Sequence, residues 1–285
     1  MDKLVIGCGY LGERVARQWV AAGQRVYALT RSAERAAELR RHGLVPLVGD
    51  VLDPDSLRSL PEAASVLYAV GHDRTAGRSL REVYVTGLAN VLAFLPTCDR
   101  LLYISSTGVY GQSGGEEVDE SAATEPTDES GRVVLEAERL LRGQRPGATI
   151  LRFAGIYGPG RLFRREAIER GEPVPGDGEQ WLNLIHVDDG IAAVLAAEAA
   201  SPGITVNVSD GHPVLRREFF EELARCLGAP PPRFAAGGPG GPPRHRGHRR
   251  IANRRLRQEL GVVLRYPSYR EGLPASLNPP ATHLR

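Results

Sequence analysis

The sequence predicts an α/β protein that combines a doubly wound parallel sheet with a smaller C-terminal lobe. Short apolar runs alternate with amphipathic segments along the first half of the chain, and glycine or proline closes several of them. Repeated β-α units with short links are typical of a parallel sheet that helices cover on both faces. With 285 residues, 42% of them hydrophobic, the chain has ample material for a buried core.

The elements of the first half can be taken in order. Apolar runs predict strands at residues 3–7, 25–30, 44–50, 65–71, 101–106 and 148–158. Apolar residues at helical spacing predict helices at residues 10–23, 32–43, 55–60, 79–95 and 128–141. Pro46 weakens the third strand, since proline cannot donate a hydrogen bond within a sheet. Ser130 can cap the helix that begins near residue 128.

The spacing changes after the glycine-proline turn at residues 158–160, which predicts a first domain at 1–158 and a C-terminal lobe at 159–285. The lobe is predicted to contain a helix near 161–170, a strand at 182–187, a helix to about 200, a strand at 204–211 and a helix at 216–228. Glycine and proline exclude regular structure from about 235 to 250, so we expect a mobile basic loop there.

Composition and charge narrow the classes of protein that fit. A net charge of +2 is weak evidence for any polyanionic partner. The three cysteines, Cys8, Cys98 and Cys226, are far apart, which argues against a disulfide framework or a structural zinc site and favours a reducing compartment. The first apolar run is too short for a signal peptide or a membrane span. We therefore expect a cytoplasmic protein that does not enter a membrane.

The motif 7-GCGYLG-12 follows the first strand directly and opens the first helix. In this G-x-G-x-x-G pattern, Gly7 permits a tight turn, Gly9 lets the backbone approach a pyrophosphate, and Gly12 lets the helix pack closely on the sheet. The amides of the helix start, including those of Tyr10 and Leu11, then point at the anion. The alternative is an ordinary glycine-rich turn, but the position between strand and helix favours a dinucleotide-binding loop.

The end of the second strand bears on which dinucleotide binds. NAD-binding folds usually place a carboxylate there to accept hydrogen bonds from the ribose, but this chain has Thr30, Arg31 and Ser32. A guanidinium between two hydroxyls suits a 2′-phosphate. The sequence therefore favours NADP over NAD, unless Arg31 is merely a solvated residue at a helix start.

The motifs together resemble those of the extended short-chain dehydrogenase/reductase family, the NAD-dependent epimerase/dehydratase group. The resemblance covers nearly the whole chain and rests on 7-GCGYLG-12, 49-GDVLD-53, 104-ISSTGVYG-111, 151-LRFAGIYGPG-160 and 176-GDGEQWLNLIHVDDGIAAV-194. It implies a Rossmann domain at 1–158 that binds NAD(P) and a substrate-binding lobe at 159–285. The S-G-R-V sequence at 130–133 resembles an atypical subgroup.

The resemblance also implies roles for individual residues. Asp50 and Val51 would flank the adenine, and the segment Ala69, Val70 and Gly71 would line the cofactor after the fourth strand. Ser106 lies where the family has its active-site serine or threonine, and it would hydrogen-bond a substrate oxygen. The alternative for Ser106 is a hydroxyl that satisfies backbone groups at a strand end.

The family's tyrosine and lysine correspond here to Ser130 and Val134, which puts the usual proton chemistry in doubt. A serine hydroxyl without an adjacent base is a poor acid or base near pH 7, and valine can do neither task. His72 follows the fourth strand at the edge of the sheet where ligands bind, which makes it a candidate replacement. A histidine in a polar loop is, however, more often simply solvated.

Two polar groups in the second half allow more than one interpretation. His186, Asp188 and Asp189 resemble a metal-ligating trio, but the family resemblance makes Asp189 part of a helix start, which we favour. The basic cluster from Arg244 to Arg257 suggests nucleic acid, the diphosphate of a nucleotide sugar, or a solvated loop. Nucleic acid is disfavoured because no aromatic stacking residues interleave the cluster.

Two functions remain after these considerations. The first is an NAD(P)-dependent oxidoreductase, epimerase or dehydratase that acts on a nucleotide sugar or a similar small polar substrate. The second is a non-catalytic NADP-binding sensor or regulator that lost its chemistry together with the tyrosine. The family resemblance also implies a homodimer through the helices near 82–95 and 131–142.

Overall fold

The computed structural model describes residues 1–235 and 247–278. By the density of contacts this part of the chain forms two compact units. Unit 1 contains residues 1–109, 128–152 and 193–206, and unit 2 contains 110–127, 153–192 and the described residues from 207 onward. The functional division after residue 158 is a separate matter and stays a prediction.

Strands and helices alternate along most of the described chain. The strands are β1 (Lys3–Ile6), β2 (Val26–Thr30), β3 (Val45–Val48), β4 (Ser65–Tyr68), β5 (Arg100–Ser106), β6 (Glu117–Val118), β7 (Thr149–Phe153), β8 (Gly155–Tyr157), β9 (Val174–Pro175), β10 (Trp181–Leu182), β11 (Leu184–His186), β12 (Thr205–Val208), β13 (Val214–Leu215), β14 (Phe234–Ala235) and β15 (Arg250–Ile251). The α-helices are α1 (Gly12–Ala21), α2 (Ala33–Arg41), α3 (Gly87–Phe94), α4 (Glu129–Gln144), α5 (Arg165–Glu169), α6 (Val187–Ala199), α7 (Arg216–Leu227), α8 (Arg254–Gln258) and α9 (Tyr269–Leu277).

The central sheet has seven strands in the order β12-β7-β5-β4-β1-β2-β3. β1 pairs in parallel with β2 on one side and with β4 on the other, and the pairs β2–β3 and β4–β5 are also parallel. The strand order reverses at β1, and ligands of such sheets bind at that point, beyond the carboxyl ends of the strands. The predicted doubly wound α/β fold is confirmed.

Several predicted elements differ in detail from those observed. The strand predicted at 148–158 is two strands, β7 and β8, and the helix predicted at 55–60 is a 3-10 turn at Pro54–Leu57. Pro46 is accommodated because β3 is the last strand in the sheet order. The prediction that Ser130 caps α4 was wrong: the Asp128 carboxylate accepts from the Gly131 amide at 2.9 Å. A carboxylate at that position also suits the positive end of the helix dipole.

The helix predicted at 79–95 has an unusual start. A π-helical segment covers Glu82–Thr86, and α3 continues from Gly87. A Cβ added to Gly87 would lie 2.7 Å from the Cγ2 atom of Val51, so glycine allows this helix to pack against the segment that follows β3. Isolated π-helical turns are rare and frequently accompany functional sites.

Each unit has its own apolar core. The core of unit 1 is centred on the sheet and includes Leu4, Ile6, Val66, Leu88, Val91, Leu101, Ala137, Leu141 and Ile150. The core of unit 2 includes Tyr157, Ile168, Val174, Leu184, Phe219, Phe220, Leu223, Tyr269 and Leu273. A buried ion pair in unit 1 joins Arg152 to Glu138 through contacts of 3.0 and 2.7 Å, and Glu138 also accepts from the Ser105 hydroxyl.

Unit 2 is built from short strand pairs: β8 with β11, β9 with β14 and β6 with β15 are parallel, whereas β10 and β13 are antiparallel. Most of the predicted basic loop, residues 236–246, lies outside the described residues. Of the residues predicted to flank or belong to this loop, Ala235 belongs to β14 and Arg250 to β15. In the described part of the chain, helices are too short or too polar to traverse a bilayer.

Candidate functional site

The glycine loop after β1 cannot accept side chains at two of its three glycines. Gly7 has a φ of +94°, and a Cβ added there would lie 2.5 Å from backbone atoms of Ala69 and Val70. A Cβ on Gly12 would lie 2.3 Å from the carbonyl oxygen of Gly7. The loop therefore turns tightly against the end of β4 and lets α1 begin directly beneath it, as the motif requires.

The remaining glycine of the loop, Gly9, faces open space. A Cβ on Gly9 would meet nothing within 4 Å, so backbone at this point is accessible to a ligand. α1 begins after Leu11 without a side-chain cap, which leaves the start of the helix open to an external anion. A tight turn, an open glycine and an uncapped helix start fit the pyrophosphate of a dinucleotide.

The end of β2 lies beside the loop that follows β4. Arg31 Nη2 is 3.3 Å from Asp73 Oδ2, and both side chains are largely exposed. Asp73 Oδ1 accepts from the amide and hydroxyl of Thr75, and these hydrogen bonds, with the Arg31 contact, lower the pKa of Asp73. Ser32 caps α2 by accepting from the Arg35 amide. The arginine predicted to bind a 2′-phosphate thus has a carboxylate beside it.

Arg35 is a residue that the sequence interpretation missed. Its guanidinium contacts the Cys8 carbonyl oxygen at 3.4 Å and the carboxylates of Glu13 and Glu38 at 2.5 and 2.6 Å. It therefore ties α2 to the glycine loop. The i, i+3 spacing of Arg35 and Glu38 is visible in the sequence, but the contact with the loop depends on how α1 and α2 pack.

The other predicted cofactor residues lie at the same carboxyl edge of the sheet. Asp50 Oδ1 accepts from the Leu52 amide, and the Val51 carbonyl oxygen accepts from Asn90. In the segment after β4, the Ala69 amide donates to the Ile6 carbonyl oxygen. A Cβ on Gly71 would meet nothing within 4 Å. These segments follow β3 and β4, on the two sides of the glycine loop in the strand order.

Ser106 ends β5 and is half-buried. Its oxygen accepts from the Gly108 amide at 3.0 Å, as the structural interpretation of this hydroxyl expects. The hydroxyl proton has no acceptor within the ranges 1–235 and 247–278, so the same group can also donate to a substrate oxygen. The two interpretations of Ser106 are therefore compatible.

The ring of His72 hydrogen-bonds to a backbone carbonyl group. Its Nε2 lies 2.8 Å from the Arg78 carbonyl oxygen, so this nitrogen acts as the donor in that contact. The amide of His72 donates to the Tyr84 hydroxyl at 3.2 Å. Tyr84 lies in the π-helical segment and is half-buried, and its own proton has no acceptor among the residues described.

Tyr84 is thus a phenol beside the loop that follows β4, and the sequence interpretation missed it. Ser130 and Val134, which the sequence resemblance aligns with the family's tyrosine and lysine, lie on the first two turns of α4, and Val134 is buried. The sequence gives one signal for Tyr84, its place near the start of the predicted helix at 79–95. Its contact with His72 depends on the π-helical turn.

The acidic residues after β11 contact backbone amides and a histidine of unit 2. The Asp189 carboxylate, in the first turn of α6, accepts from the amides of Arg265 and Tyr266 at 2.7 and 3.0 Å. His186 Nδ1 lies 3.8 Å from Asp188 Oδ2. Across the described residues, His, Cys, Asp and Glu form no group of three that could hold a metal ion.

The described part of the basic cluster is partly neutralised within unit 2. Arg254 is paired with Glu117, Arg255 with Glu259, and Arg250 donates to the Gly115 carbonyl oxygen. β15 also pairs with β6, which carries Glu117. The Arg254–Glu117 pair and the β15–β6 pairing link the basic cluster to an acidic segment that contains Glu116, Glu117, Asp119 and Glu120.

Comparison with known proteins identifies the group to which this sheet and loop belong. The pattern of the NAD dependent epimerase/dehydratase family matches residues 4–209, which is more than half of the chain. The chain belongs to this family. The resemblance predicted from the motifs is thereby confirmed, and a nicotinamide dinucleotide is the cofactor that the family implies.

Individual known proteins match this chain over almost its full length. Protein YeeZ of Escherichia coli K12 is 31% identical over 274 residues, covering 92% of this chain and 95% of YeeZ. A 3-diazoavenalumate denitrifying reductase from a Streptomyces species is 30% identical over 308 residues, covering 96% and 99%. The UDP-glucose 4-epimerase of Thermotoga maritima, solved with UDP-glucose, is 20% identical with a TM-score of 0.83 over all of both chains, which shows the fold.

Proposed function

We propose that this protein is an NADP-dependent oxidoreductase of the epimerase/dehydratase family that acts on a small polar substrate, with a nucleotide sugar as the first candidate. The observation that carries this proposal is the glycine loop. Gly7 and Gly12 are sterically obligatory, whereas Gly9 and the uncapped start of α1 are open to a pyrophosphate. A loop that was only a turn would not need the open glycine and the uncapped helix together.

The preference for NADP rests on the end of β2. NAD-binding folds usually place a carboxylate at this point, which binds the ribose and would repel a 2′-phosphate. This chain instead has Thr30, Arg31 and Ser32 there. The Arg31–Asp73 pair is exposed, and solvent screens such surface pairs so that they contribute little to stability. A phosphate carrying more than one negative charge can therefore displace Asp73 from the guanidinium.

When bound, the nicotinamide supplies or accepts a hydride. The chain must then hold or move a proton at the substrate oxygen, and Ser130 and Val134 are unsuited to this. The hydroxyl oxygens of Tyr84 and Ser106 each accept a hydrogen bond from a backbone amide. Neither hydroxyl donates its proton to a described residue. We assign proton donation to Tyr84, and orientation of the reacting oxygen to Ser106.

The substrate class is inferred from the relatives. One relative of similar length is a reductase, and a fold neighbour binds UDP-glucose. A direct test is to incubate the purified protein with NADPH or NADP and a panel of sugar nucleotides and small carbonyl compounds, following absorbance at 340 nm. Consumption of NADPH with at least one compound, lost in a Tyr84→Phe variant, supports the proposal.

The second candidate is a non-catalytic NADP-binding protein, and the buried Val134 favours it. Tight NADPH binding with no turnover on the whole panel would support that function and reject the first. A Ser130→Tyr, Val134→Lys double variant that gains turnover would show that the scaffold still positions a substrate. The cytoplasmic location and the homodimer stay predictions.

A further inference from the structure

The guanidinium of Arg35 reaches the middle of the glycine loop. Its Nη2 donates to the Cys8 carbonyl oxygen at 3.4 Å, and Cys8 lies between Gly7 and Gly9. Arg35 belongs to the first turn of α2, so this contact connects the helix that follows β2 with the loop that follows β1. Glycines leave a loop free to adopt many backbone conformations, and a side-chain contact in its middle selects among them.

Two carboxylates hold this guanidinium in place. Glu13, in the first turn of α1, and Glu38, one turn further along α2, accept from Arg35 at 2.5 and 2.6 Å. Arginine suits this arrangement, because the several donors of its planar fork can bond to a carbonyl oxygen and two carboxylates at once. The position of the guanidinium is therefore fixed from both helices.

The contact with Cys8 determines where the Gly9 amide points. The peptide bond between Cys8 and Gly9 is trans, and the carbonyl and amide groups of a trans peptide point in opposite directions. Because Arg35 holds the carbonyl oxygen on the α2 side, the Gly9 N–H is directed away from α2. Within the ranges that the structure describes, this amide donates to no acceptor, and a Cβ on Gly9 would meet nothing within 4 Å. The amide is thus available to a ligand.

Arg35 also offsets a negative charge beside the loop. Glu13 places a carboxylate at the positive end of α1, where it would compete with an external anion for the helix start. His42 Nδ1 lies 2.9 Å from Glu13 Oε1, but a histidine carries positive charge only when it is protonated. Arg35 is the permanent cation beside Glu13, so it keeps the helix start attractive to a phosphate.

We propose that Arg35 is a positioning residue for the cofactor, which orients the Cys8–Gly9 peptide so that the Gly9 amide binds a phosphate oxygen of the dinucleotide. Arg35 acts through the loop and does not itself bind the phosphate. The inference rests on the proposed function only in that a dinucleotide occupies the glycine loop. It is separate from the assignment of Arg31, which concerns the 2′-phosphate.

The test compares two fragments of the cofactor by titration calorimetry on the full chain. ADP carries the pyrophosphate without the 2′-phosphate, whereas 2′-AMP carries the 2′-phosphate without the pyrophosphate. Arg35→Gln removes the guanidinium but leaves the Glu13 charge uncompensated. The double variant Glu13→Gln, Arg35→Gln removes both charges and so isolates the orientation of the peptide. Arg145→Gln is the matched control, since Arg145 also donates to backbone carbonyl oxygens, those of Leu92 and Leu95 at the end of α3, at 3.2 and 3.4 Å.

We expect Arg35→Gln and the double variant each to weaken ADP binding by about tenfold, the loss of one hydrogen bond to a charged group. The affinity for 2′-AMP should stay within about twofold, and Arg145→Gln should keep both affinities within about twofold even where it lowers the unfolding temperature. An equal loss for ADP and 2′-AMP would show a merely structural role, and full recovery of ADP affinity in the double variant would show that charge alone matters. Either result overturns the proposal, as does a wild-type protein that does not bind ADP.

Failure of the proposed function would give a different result. Arg35-dependent ADP binding in a protein that consumes NADPH with no compound of the panel rejects the oxidoreductase and supports this inference. Turnover with NADPH, together with an ADP affinity that is unchanged in Arg35→Gln, supports the oxidoreductase and rejects this inference.

Discussion

The hydroxyl oxygen of Tyr84 accepts a hydrogen bond from the backbone amide of His72 at 3.2 Å. The contact joins the π-helical segment to the loop that follows β4, where Gly71 directly precedes His72. Because the oxygen is the acceptor, the phenolic proton remains available for another partner. A tyrosine thus lies beside the loop that follows β4, whereas Ser130 stands where the sequence resemblance predicts the family's tyrosine.

Replacing Tyr84 with Phe should lower turnover on an active substrate by about 10²–10⁴-fold, the usual contribution of a positioned proton donor. NADPH affinity should remain within about twofold, because the phenol is assigned to the proton and not to the dinucleotide. Steady-state kinetics and fluorescence titration with NADPH measure the two quantities.

The matched control is Tyr68→Phe. Tyr68 is a buried tyrosine whose hydroxyl has no hydrogen-bond partner in the described residues, and it ends β4. This variant should keep full turnover. Equal losses in the two variants would mean that packing of the aromatic rings, and not the Tyr84 proton, carries the effect.

Replacing Arg31 with Ala should weaken NADPH binding by about 10–100-fold, since hydrogen bonds to a charged group contribute about 1.5–3 kcal/mol. NADH, which has no 2′-phosphate, should lose much less. Asp73→Asn removes the competing carboxylate and should strengthen NADPH binding modestly. Equilibrium binding of both cofactors to each variant checks this, and an unchanged NADPH-to-NADH ratio in Arg31→Ala would refute the assignment.

Alanine substitutions at two glycines of the loop should have different effects on stability and on dinucleotide binding. Gly12→Ala places a Cβ 2.3 Å from the Gly7 carbonyl oxygen and should destabilise the fold by about 1–3 kcal/mol. Gly9→Ala adds a methyl group to open space, so its unfolding midpoint should stay close to that of the wild type. The same methyl group should nevertheless weaken dinucleotide binding. Thermal unfolding and NADPH titration of both variants test the contrast.

The sequence predicted the sheet and the glycine loop well because both depend on local signals. Strand 3–7 and the motif at 7–12 combine an apolar run, fixed glycine spacing and a helix start, and each can be read within about a dozen residues. The cap of α4 was assigned to Ser130 and not Asp128 because either residue type can cap. The choice depends on where the chain turns into the helix.

The missed residues depend on packing between distant segments. Arg35 contacts Cys8 across 27 positions, and Tyr84 contacts His72 only because the helix begins with a π-helical turn. No local periodicity encodes these relationships.

Stability should depend on pH through Asp210. This carboxyl is 5% exposed, its Oδ1 accepts from the His212 amide, and its Oδ2 has no partner in the described part of unit 2. Burial, and then the nearby carboxylates of Asp189 and Glu271, raise its pKa well above the ordinary value. The folded protein therefore binds more protons here than the unfolded chain above about pH 4.

The free energy of unfolding should consequently fall as the pH rises from about 4 through the raised pKa of Asp210. Asp210→Asn imitates the protonated carboxyl, so at pH 8 it should stabilise the protein by about 1–3 kcal/mol. Near pH 4 the variant and the wild type should be equally stable. Urea unfolding at pH 4, 6 and 8 measures this, and a constant difference between the two proteins at all three pH values would contradict the role of ionisation.

The central claim is that the glycine loop after β1 binds the pyrophosphate of a nicotinamide dinucleotide. Titration calorimetry of the purified protein with NADPH and NADH, beside the Gly9→Ala variant, tests it most directly. We predict one equivalent of NADPH bound more tightly than NADH, and weaker binding in Gly9→Ala. Failure of the wild-type protein to bind either nucleotide would contradict the claim.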